Sequence, residues 1–303
     1  MSAIALRTAV LDWFAAHGRE LPWRDPTCTP WGVLVSEVML QQTPVVRVEP
    51  AWHHWMTRWP APADLASART ADVLRAWDRL GYPRRALRLQ ECARAIVREH
   101  GGEVPMTEAA LLTLPGVGAY TAAAVVAFAH RGRSVVLDTN VRRVLARAVD
   151  GAALPAPTQT AGEYRRAAAL VPDDDSTAAT WAAASMELGA LVCTARSPRC
   201  DVCPVADLCS WRAAGYPDDE HAHRRRSQAW VGTDRQARGR IMAELRASDH
   251  PVPAGVLARL WPEDVQRERA LAGLIVDGLV VREVGSASGV DGDTEPATFR
   301  LPG

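Results

Sequence analysis

The sequence predicts a mainly helical protein that ends in a small α+β domain, and three observations predict this class. Up to residue 228, apolar residues recur at the spacing of amphipathic helices, while strand-like alternation is scarce. Glycines and prolines interrupt these segments where turns are expected. From residue 229 onwards, three helical patterns are followed by two strand-like patterns. This order of elements resembles a winged helix.

Helices in the first part of the chain are expected over residues 65–77, 87–97, 109–114 and 141–149. A polar, charge-dense stretch follows at residues 213–228 and predicts a linker. The turn signals between the helices include Gly81, the Gly101-Gly102 pair and Pro172.

In the last part, helices are expected around Ile241, around Val256 and over residues 265–275, with Gly278 closing the third. Two short strands are expected at residues 279–284 and 298–301, around a loop rich in Gly, Ser and Asp.

The composition excludes several kinds of chemistry. All 35 basic residues are arginine, so a lysine Schiff base, a lysine general base and a phosphate-binding P-loop lysine are impossible. The 35 acidic residues bring the formal net charge to zero, which argues against indiscriminate binding of polyanions. The charge is uneven: it is +4 over residues 1–150, −2 over residues 151–228 and −2 over residues 229–303.

The location of the protein is expected to be cytoplasmic. The first residues lack the apolar core and cleavage site of a signal peptide. The most apolar stretch, residues 117–129, is shorter than the roughly 20 residues that a membrane-spanning helix needs.

Four of the six cysteines lie close together with the spacing C-x6-C-x2-C-x5-C; they are Cys193, Cys200, Cys203 and Cys209. Thiolates at such short separations suit a tetrahedral zinc or a four-iron cluster. Zinc ribbons usually have two C-x2-C pairs and this segment has one, which favours an iron–sulfur cluster. The isolated Cys28 and Cys92 are interpreted as incidental thiols.

A Gly-rich turn at residues 114–118 lies between a helix expected to end near Leu114 and one expected to begin near Ala119. The glycines allow a tight turn whose backbone N–H groups, at Gly116, Val117 and Gly118, can face a phosphate next to a helix N-terminus. Such turns also occur simply as helix connections. The apolar helices on both sides favour a DNA-backbone anchor.

Two carboxylates are candidates for catalysis. Glu37 lies in a helical run that is otherwise almost wholly apolar, so burial should raise its pKa and let it donate a proton near neutral pH. The alternative is a buried glutamate paired with an arginine. Asp138 precedes the helical pattern at residues 141–149, where it is either an N-cap or a second carboxylate with a separate role.

These parts together resemble the helix–hairpin–helix base-excision glycosylases, also called the HhH-GPD superfamily. The resemblance rests on residues 36–43 (Ser-Glu-Val-Met-Leu-Gln-Gln-Thr), the Leu80-Gly81-Tyr82 turn, the Gly-rich turn, Asp138 and the four-cysteine segment. Residues 41–43 and 187–193 are most similar to the adenine glycosylases of the MutY type. The similarity covers roughly residues 10–212.

The resemblance implies a fold and a domain organisation. A six-helix barrel with the hairpin would occupy residues 24–133, and an iron–sulfur cluster domain residues 1–23 and 134–212. The linker at residues 213–228 and a winged-helix-like domain at residues 229–303 would follow.

The resemblance also implies roles for the catalytic residues. Glu37 would protonate adenine and then help to activate water, and Asp138 would stabilise the oxocarbenium-like sugar. Tyr120 occupies the position where lyase-competent relatives have lysine, and Asn140 would orient Asp138 or the water.

Further residues match binding positions of the family. Those of the adenine pocket are Arg19, Trp23, Arg24 and Glu187. Gln41 and Gln42 would probe the bases, and Gln42 and Tyr82 would enter the duplex. The four cysteines would hold a [4Fe–4S] cluster, with Arg196 and Arg199 reaching phosphates. The expected partner is double-stranded DNA with a mispaired adenine, bound by a monomer that does not associate with membranes.

The chain departs from the family at two places. Thr139 replaces the glycine usual after the aspartate, and residues 229–303 are too few for the family's Nudix-like domain, which reads 8-oxoguanine. The C-terminal part is as compatible with packing or protein contact as with DNA binding.

Alternatives to an adenine glycosylase remain open. A thymine glycosylase for G:T mismatches is compatible with Tyr120, while an endonuclease III-like lyase is disfavoured by the missing lysine. A non-catalytic iron–sulfur DNA-binding regulator would need neither Glu37 nor Asp138.

Overall fold

The computed structural model describes residues 2–224, 231–283 and 297–303. The chain forms two compact units. The first contains Met1–Glu37 and Val104–Arg226, and the second contains Val38–Glu103 and Ser227–Gly303. The domain boundaries implied by the family resemblance stay a prediction.

The described residues form fifteen α-helices and three short strands. The helices are α1 (Ala3–His17), α2 (Pro30–Leu40), α3 (Val45–Arg58), α4 (Pro62–Ser67), α5 (Thr70–Trp77), α6 (Arg84–His100), α7 (Glu108–Leu111), α8 (Ala119–Ala129), α9 (Thr139–Ala148), α10 (Ala161–Leu170), α11 (Asp175–Leu191), α12 (Ser210–Ala213), α13 (Asp234–Ala247), α14 (Ala254–Leu260) and α15 (Asp264–Val276). The strands are β1 (Val252–Pro253), β2 (Val281–Glu283) and β3 (Thr298–Arg300). The predicted mainly helical class is confirmed.

The core of the first unit is built where α1, α9 and α11 meet. Leu6 of α1, Val144 of α9 and Leu188 of α11 are all buried in one apolar cluster. The apolar residues of α9 fall at positions 141, 144, 145 and 148, the spacing that places them on one face of a helix. This packing fixes the start of α9, where Asp138 and Asn140 lie.

Helix α8 is buried around most of its surface. Its alanines and valines leave little bulk, so Ala123, Ala124 and Ala127 pack directly against Ala182 of α11. A helix that is apolar all round belongs in a core. Tyr120 in its first turn is thereby held beside the buried part of α2, where its hydroxyl reaches Glu37.

In the second unit, α3 and α5 meet through an aromatic cluster. The ring of Trp55 lies 4.9 Å from that of Trp59 and 5.4 Å from that of Trp77, each pair edge to face. The indole N–H of Trp55 donates to the backbone oxygen of Ala76 at 3.0 Å. Edge-to-face pairs of this kind stabilise a core beyond their buried area.

The single helix expected over residues 65–77 is divided into α4 and α5, so that prediction is wrong in detail. Ala68 and Arg69 are extended between the two helices. The side-chain amide of Gln90, on α6, donates to the oxygens of Leu65 and Ala68, and its carbonyl accepts from the Thr70 hydroxyl. Gln90 therefore replaces the backbone hydrogen bonds that the break removes.

The C-terminal part of the second unit has the element order α13, β1, α14, α15, β2 and β3. The interpretation of this part as a winged-helix-like domain stays a prediction. The strands form an antiparallel sheet in the order β1-β3-β2, and Phe299 of β3 lies opposite both Val252 and Arg282. Gly278, at φ +70°, ends α15 as expected. Strand β1 was not predicted, because two residues are too few to show alternation.

The two predicted strands are shorter in the structure, at Val281–Glu283 and Thr298–Arg300. Residues 225–230 and 284–296 lie outside the described residues, and they include the end of the predicted linker, residue 284 of the first predicted strand and most of the predicted loop. In the part of the chain that the structure describes, no helix is both long and apolar enough to cross a membrane.

Candidate active site and cysteine cluster

Glu37 is buried in α2 with 4% of its surface exposed. The Tyr120 hydroxyl donates to its Oε2 at 2.8 Å, so the hydrogen-bond partner is a tyrosine and not the arginine of the alternative interpretation. The pKa of Glu37 is raised to about 7, chiefly by burial and also by the charge of Asp138, while the Tyr120 hydrogen bond and the charge of Arg24 oppose the rise. A carboxyl group with this pKa carries a transferable proton near neutral pH.

Asp138 caps helix α9. Its Oδ1 accepts from the backbone N–H of Val141 at 2.7 Å, and its Oδ2 accepts from the side-chain amide of Asn140 at 2.7 Å. Burial raises the pKa of Asp138, whereas these hydrogen bonds and the charge of Arg143 lower it. The N-cap interpretation of Asp138 is therefore correct, and it fixes the direction in which the carboxylate faces.

Tyr120 hydrogen-bonds to Glu37 and is also influenced by the charge of Asp138. Burial, together with the charges of Glu37 and Asp138, raises the pKa of its hydroxyl well above the ordinary value of 10. The hydroxyl thus stays protonated and donates its hydrogen bond to Glu37. The structure brings the four predicted catalytic residues, Glu37, Tyr120, Asp138 and Asn140, into one site within the first unit.

Arg143 is a residue of this site that the sequence did not reveal. Its Nη2 donates to Asn140 Oδ1 at 2.8 Å and to the oxygen of Gly189 at 2.6 Å, while its Nε donates to the oxygen of Cys193 at 2.7 Å. An arginine on a short helix usually lies in solvent, so the pattern predicts exposure. In the structure Arg143 is 8% exposed and orients the side chain of Asn140.

Gly189 permits the close contact between α11 and the start of α9. A Cβ atom on Gly189 would lie 2.7 Å from Cβ of Asn140 and 2.8 Å from its backbone oxygen. Since real Cβ atoms do not approach backbone so closely, a side chain here would displace Asn140.

The predicted adenine-pocket residues include an ion-paired group in which Glu187 is buried and the two arginines, Arg19 and Arg24, are partly exposed. Arg19 Nε lies 2.6 Å from Glu187 Oε1, and Arg24 Nη2 lies 3.0 Å from Oε2. Burial would raise the pKa of Glu187, but the hydrogen bonds from both arginines outweigh it and hold the pKa at about 2. Trp23, which precedes Arg24 in the short turn Pro22–Arg24, is buried. The structure therefore places an ionised, fully paired carboxylate at Glu187.

The Gly-rich turn joins α7 to α8 as a helical hairpin. The first helix ends at Leu111 and not near Leu114, because the amides of Thr113 and Leu114 bond back only three residues. Gly116 has φ +79°, a conformation that favours glycine, and Gly118 is the N-cap of α8 with open space beside it. Val117, between them, is buried and anchors the turn.

The four clustered cysteines line one pocket of the first unit. The pKa of Cys203 is raised to about 11, chiefly by burial and also by the charges of Cys193, Cys200 and Cys209. Arg147 Nη1 lies 3.3 Å from Cys193 Sγ, and Arg199 and Arg212 also line the pocket. Thiolates surrounded by cations fit an anionic iron–sulfur cluster.

Among the described residues, no group of three or more Cys, His, Asp or Glu side chains is placed so that it could hold a single metal ion. A four-iron cluster does not need such an arrangement, because each thiolate binds a different iron. Of the other two thiols, Cys92 is buried in α6 and Cys28 is half-buried before α2, and neither lines this pocket.

In the second unit, Gln41, Gln42 and Tyr82 line a common cleft. Gln42 and Tyr82 have positive φ values, +57° and +46°, which are uncommon for residues with side chains. Arg85 holds the two turns together: its guanidinium donates to the oxygens of Gln41 and Leu80, among others. Burial lowers the pKa of Arg85 to about 10.

Comparisons with known proteins agree with this geometry. Residues 35–169 match the HhH-GPD superfamily of base excision DNA repair proteins, and residues 193–209 match the iron–sulfur binding domain of endonuclease III. The chain is 51% identical to the adenine DNA glycosylase of Mycobacterium tuberculosis over 94% of this chain and 93% of that protein. It is 52% identical to the adenine DNA glycosylase of Mycolicibacterium smegmatis over 94% of this chain and 96% of that protein.

A solved structure of a thermostable thymine-DNA glycosylase is also similar. It is 26% identical, with a TM-score of 0.63 over 70% of this chain and 97% of that chain. The chain therefore belongs to the HhH-GPD superfamily of base excision DNA repair proteins and contains an iron–sulfur binding domain of the endonuclease III type.

Proposed function

We propose that this protein is an adenine DNA glycosylase that removes adenine mispaired with 8-oxoguanine or guanine. The observation that carries the proposal is the buried Glu37, hydrogen-bonded to Tyr120 beside Asp138, with a pKa of about 7. The names of the two mycobacterial relatives, at 51% and 52% identity, point to the same base.

The geometry supports a two-carboxylate hydrolysis. Glu37 donates its proton to N7 of a flipped-out adenine, and the N-glycosidic bond breaks with its electron pair leaving on the base. Asp138, held by Asn140 and Val141, stabilises the positive charge on the sugar. Water then adds to the sugar carbon, and the Glu37 carboxylate accepts the proton that the water loses.

The reaction ends at base removal. Lyase activity of related enzymes needs an amine nucleophile, and the chain has no lysine, with Tyr120 at the corresponding position. The abasic strand is therefore expected to stay intact until it is treated with alkali or heat.

The proposed monomer binds DNA through one group of residues for a backbone phosphate, a second for the bases at the mismatch and a third for the adenine pocket. The N–H groups at Gly116, Val117 and Gly118, with the N-terminus of α8, suit a backbone phosphate. Gln41, Gln42 and Tyr82 contact the bases at the mismatch. The adenine pocket is shaped by the buried Trp23 and Glu187 and by the two arginines paired with Glu187, Arg19 and Arg24.

The iron–sulfur site is assigned a [4Fe–4S] cluster held by Cys193, Cys200, Cys203 and Cys209. When bound, the cluster supplies structural cross-linking and not redox chemistry for base removal. Arg196 and Arg199, next to these ligands in sequence, reach phosphates of the DNA.

The test is an excision assay with duplexes containing A:8-oxoguanine, A:G, G:T and thymine glycol. Adenine should be released from the first two, and Glu37→Gln should abolish release while DNA binding persists. Glu91→Gln, which changes an exposed carboxyl group on α6, is the matched control and should be fully active. An active Glu37→Gln protein would disprove the assignment of the acid.

A G:T thymine glycosylase is the second candidate, favoured by the similarity to the thermostable thymine-DNA glycosylase. The same assay distinguishes the two, because release of thymine from G:T without release of adenine would replace the first proposal by the second.

A further inference from the structure

The second unit contains a strongly basic cleft. Ten arginines and two aspartates line it, and no glutamate or lysine does. Its walls are helix α13, the start of α6 and the turns that carry Gln41, Gln42 and Tyr82. We refer to it as the α13 cleft.

The C-terminal domain supplies much of this charge, although residues 229–303 are acidic as a whole. Four of its nine arginines line the cleft: Arg235, Arg238, Arg240 and Arg246. Of its eleven acidic residues only Asp277 does. The net charge of −2 therefore conceals one strongly basic face.

Much of the charge in the α13 cleft is not neutralised by the protein. Asp277 is paired with Arg84, at 3.1 Å, and with Arg238. The exposed side chains of Arg47, Arg79 and Arg88 have no ion-pair partner among the described residues. Arginines that face one cleft without acidic partners repel one another, and a polyanion bound there would relieve this repulsion.

Backbone strain is concentrated in the same cleft. Five non-glycine residues of the described chain have positive φ, and three of them, Gln42, Asp78 and Tyr82, line it. Such conformations persist where the surrounding structure enforces them and they often mark binding sites. The guanidinium of Arg235, on α13, lies 4.8 Å from the centre of the Tyr82 ring, so the C-terminal domain directly supports Tyr82.

We propose that the α13 cleft binds the sugar-phosphate backbone of duplex DNA next to Gln42 and Tyr82, which makes the C-terminal domain part of the DNA-binding surface. This inference rests on the proposed function as a DNA glycosylase. Arginine suits the role because its planar guanidinium binds phosphate through two hydrogen bonds. The cleft does not read sequence; it adds backbone affinity around the mismatch.

Gly239 provides a test that leaves every arginine in place. It lies on α13 and lines the cleft, and a Cβ atom there would meet nothing within 4 Å. A side chain at this position can therefore carry a new charge into the cleft without disturbing the packing. Glutamate, arginine and glutamine all form helices better than glycine does, so replacing Gly239 by any of them should also keep α13 intact.

The experiment measures the affinity of the full chain for an A:8-oxoguanine duplex at several salt concentrations. Gly239→Glu should weaken binding by roughly fivefold to tenfold at ~0.1 M salt because it repels phosphates nearby. Gly239→Arg should tighten binding and steepen the salt dependence by about 0.9 in log–log slope. Gly239→Gln, of the same size as glutamate, should bind like the unmodified protein.

Arg259→Glu is a further control, because this exposed arginine of α14 does not line the cleft. It should leave affinity nearly unchanged. Equal affinities of Gly239→Glu and Gly239→Gln would overturn the inference, as would a loss with Arg259→Glu equal to that with Gly239→Glu. If the unmodified protein released no base while its DNA affinity still followed the charge at position 239, the proposed function would be wrong. DNA binding by the α13 cleft would still be supported.

Discussion

At the scale of single residues, the site depends on two carboxyl groups in different surroundings. Glu37 is buried with one hydrogen bond from an uncharged hydroxyl, so its neutral form is favoured. Burial raises the pKa of Asp138 as well, but hydrogen bonds to both of its oxygens oppose that rise. These different surroundings suit Glu37 to act as the acid and Asp138 to stabilise charge.

The buried Glu37 should make the protein less stable as the pH rises. Its pKa is about 7 when folded, above the ordinary value of 4.5. The stability from holding this proton is complete below pH ~4.5 and is lost as the pH rises through about 7. Glu37→Gln should therefore gain on the order of 2 kcal/mol over the unmodified protein between pH 5 and pH 8. Urea unfolding at both pH values measures this, and Glu91→Gln should show no such dependence.

The Tyr120 hydroxyl should set the upper pH limit of the reaction. Its hydrogen bond lowers the pKa of Glu37, so Tyr120→Phe should raise that pKa and move the alkaline fall in single-turnover excision to higher pH. The rate at low pH should change less than the position of this fall. A pH profile identical to that of the unmodified protein would show that Glu37 is not the titrating acid.

Sequence reasoning singled out Glu37 because it interrupts an apolar pattern, and Asp138 because it directly precedes an amphipathic helix. It did not find Arg143, since a charged residue on a helix predicts solvent exposure unless its partners are known. Those partners are the backbone oxygens of Gly189 and Cys193, which come close only after α9 and α11 pack. Contacts between distant backbone atoms leave no pattern in a single sequence.

At the scale of elements, the contact between α9 and α11 decides how Asp138 and Asn140 are held. It depends on Gly189, whose missing side chain lets the helices approach. Sequence patterns located α9, whereas α11 was not among the predicted helices. The fold class was predictable because apolar periodicity extends through most elements. The break between α4 and α5 was not predictable, because it depends on Gln90 of another helix. The side-chain amide of Gln90 donates hydrogen bonds to the backbone oxygens of Leu65 and Ala68 at the break.

Gly189→Ala should damage both stability and excision. The new methyl group would overlap Asn140, and overpacking of this kind costs about 1–3 kcal/mol. Excision should fall by more than DNA affinity, because the displaced Asn140 no longer holds Asp138. Thermal unfolding and single-turnover assays measure the two effects.

Gly162→Ala, on α10 of the same unit, is the matched control. A Cβ atom there would meet the ends of two arginine side chains and the Thr160 hydroxyl, none closer than 3.4 Å, so it should stabilise the protein slightly through helix propensity. If Gly189→Ala were equally harmless, the close contact would not position Asn140.

At the scale of the whole molecule, the distribution of charge matters more than its sum. A formal net charge of zero and a C-terminal domain at −2 gave no indication of DNA binding in that domain. The α13 cleft shows why: residues far apart in sequence place ten arginines around one space. Composition limits what chemistry is available, but only the fold determines where it is concentrated.

The iron–sulfur site is expected to stabilise the whole first unit as a cross-link. Its ligands come from residues 193–209, and Arg147 of α9 ties this segment to the core through Cys193, Thr194 and Ala195.

Cys203→Ser should lower the iron content from about four per chain and weaken the visible absorbance of the cluster. It should also lower the unfolding temperature, because metal binding stabilises the fold that forms the site. Cys28→Ser, outside the pocket, should keep full iron content and stability. A zinc-containing, colourless and stable purified protein would contradict the assignment of the cluster.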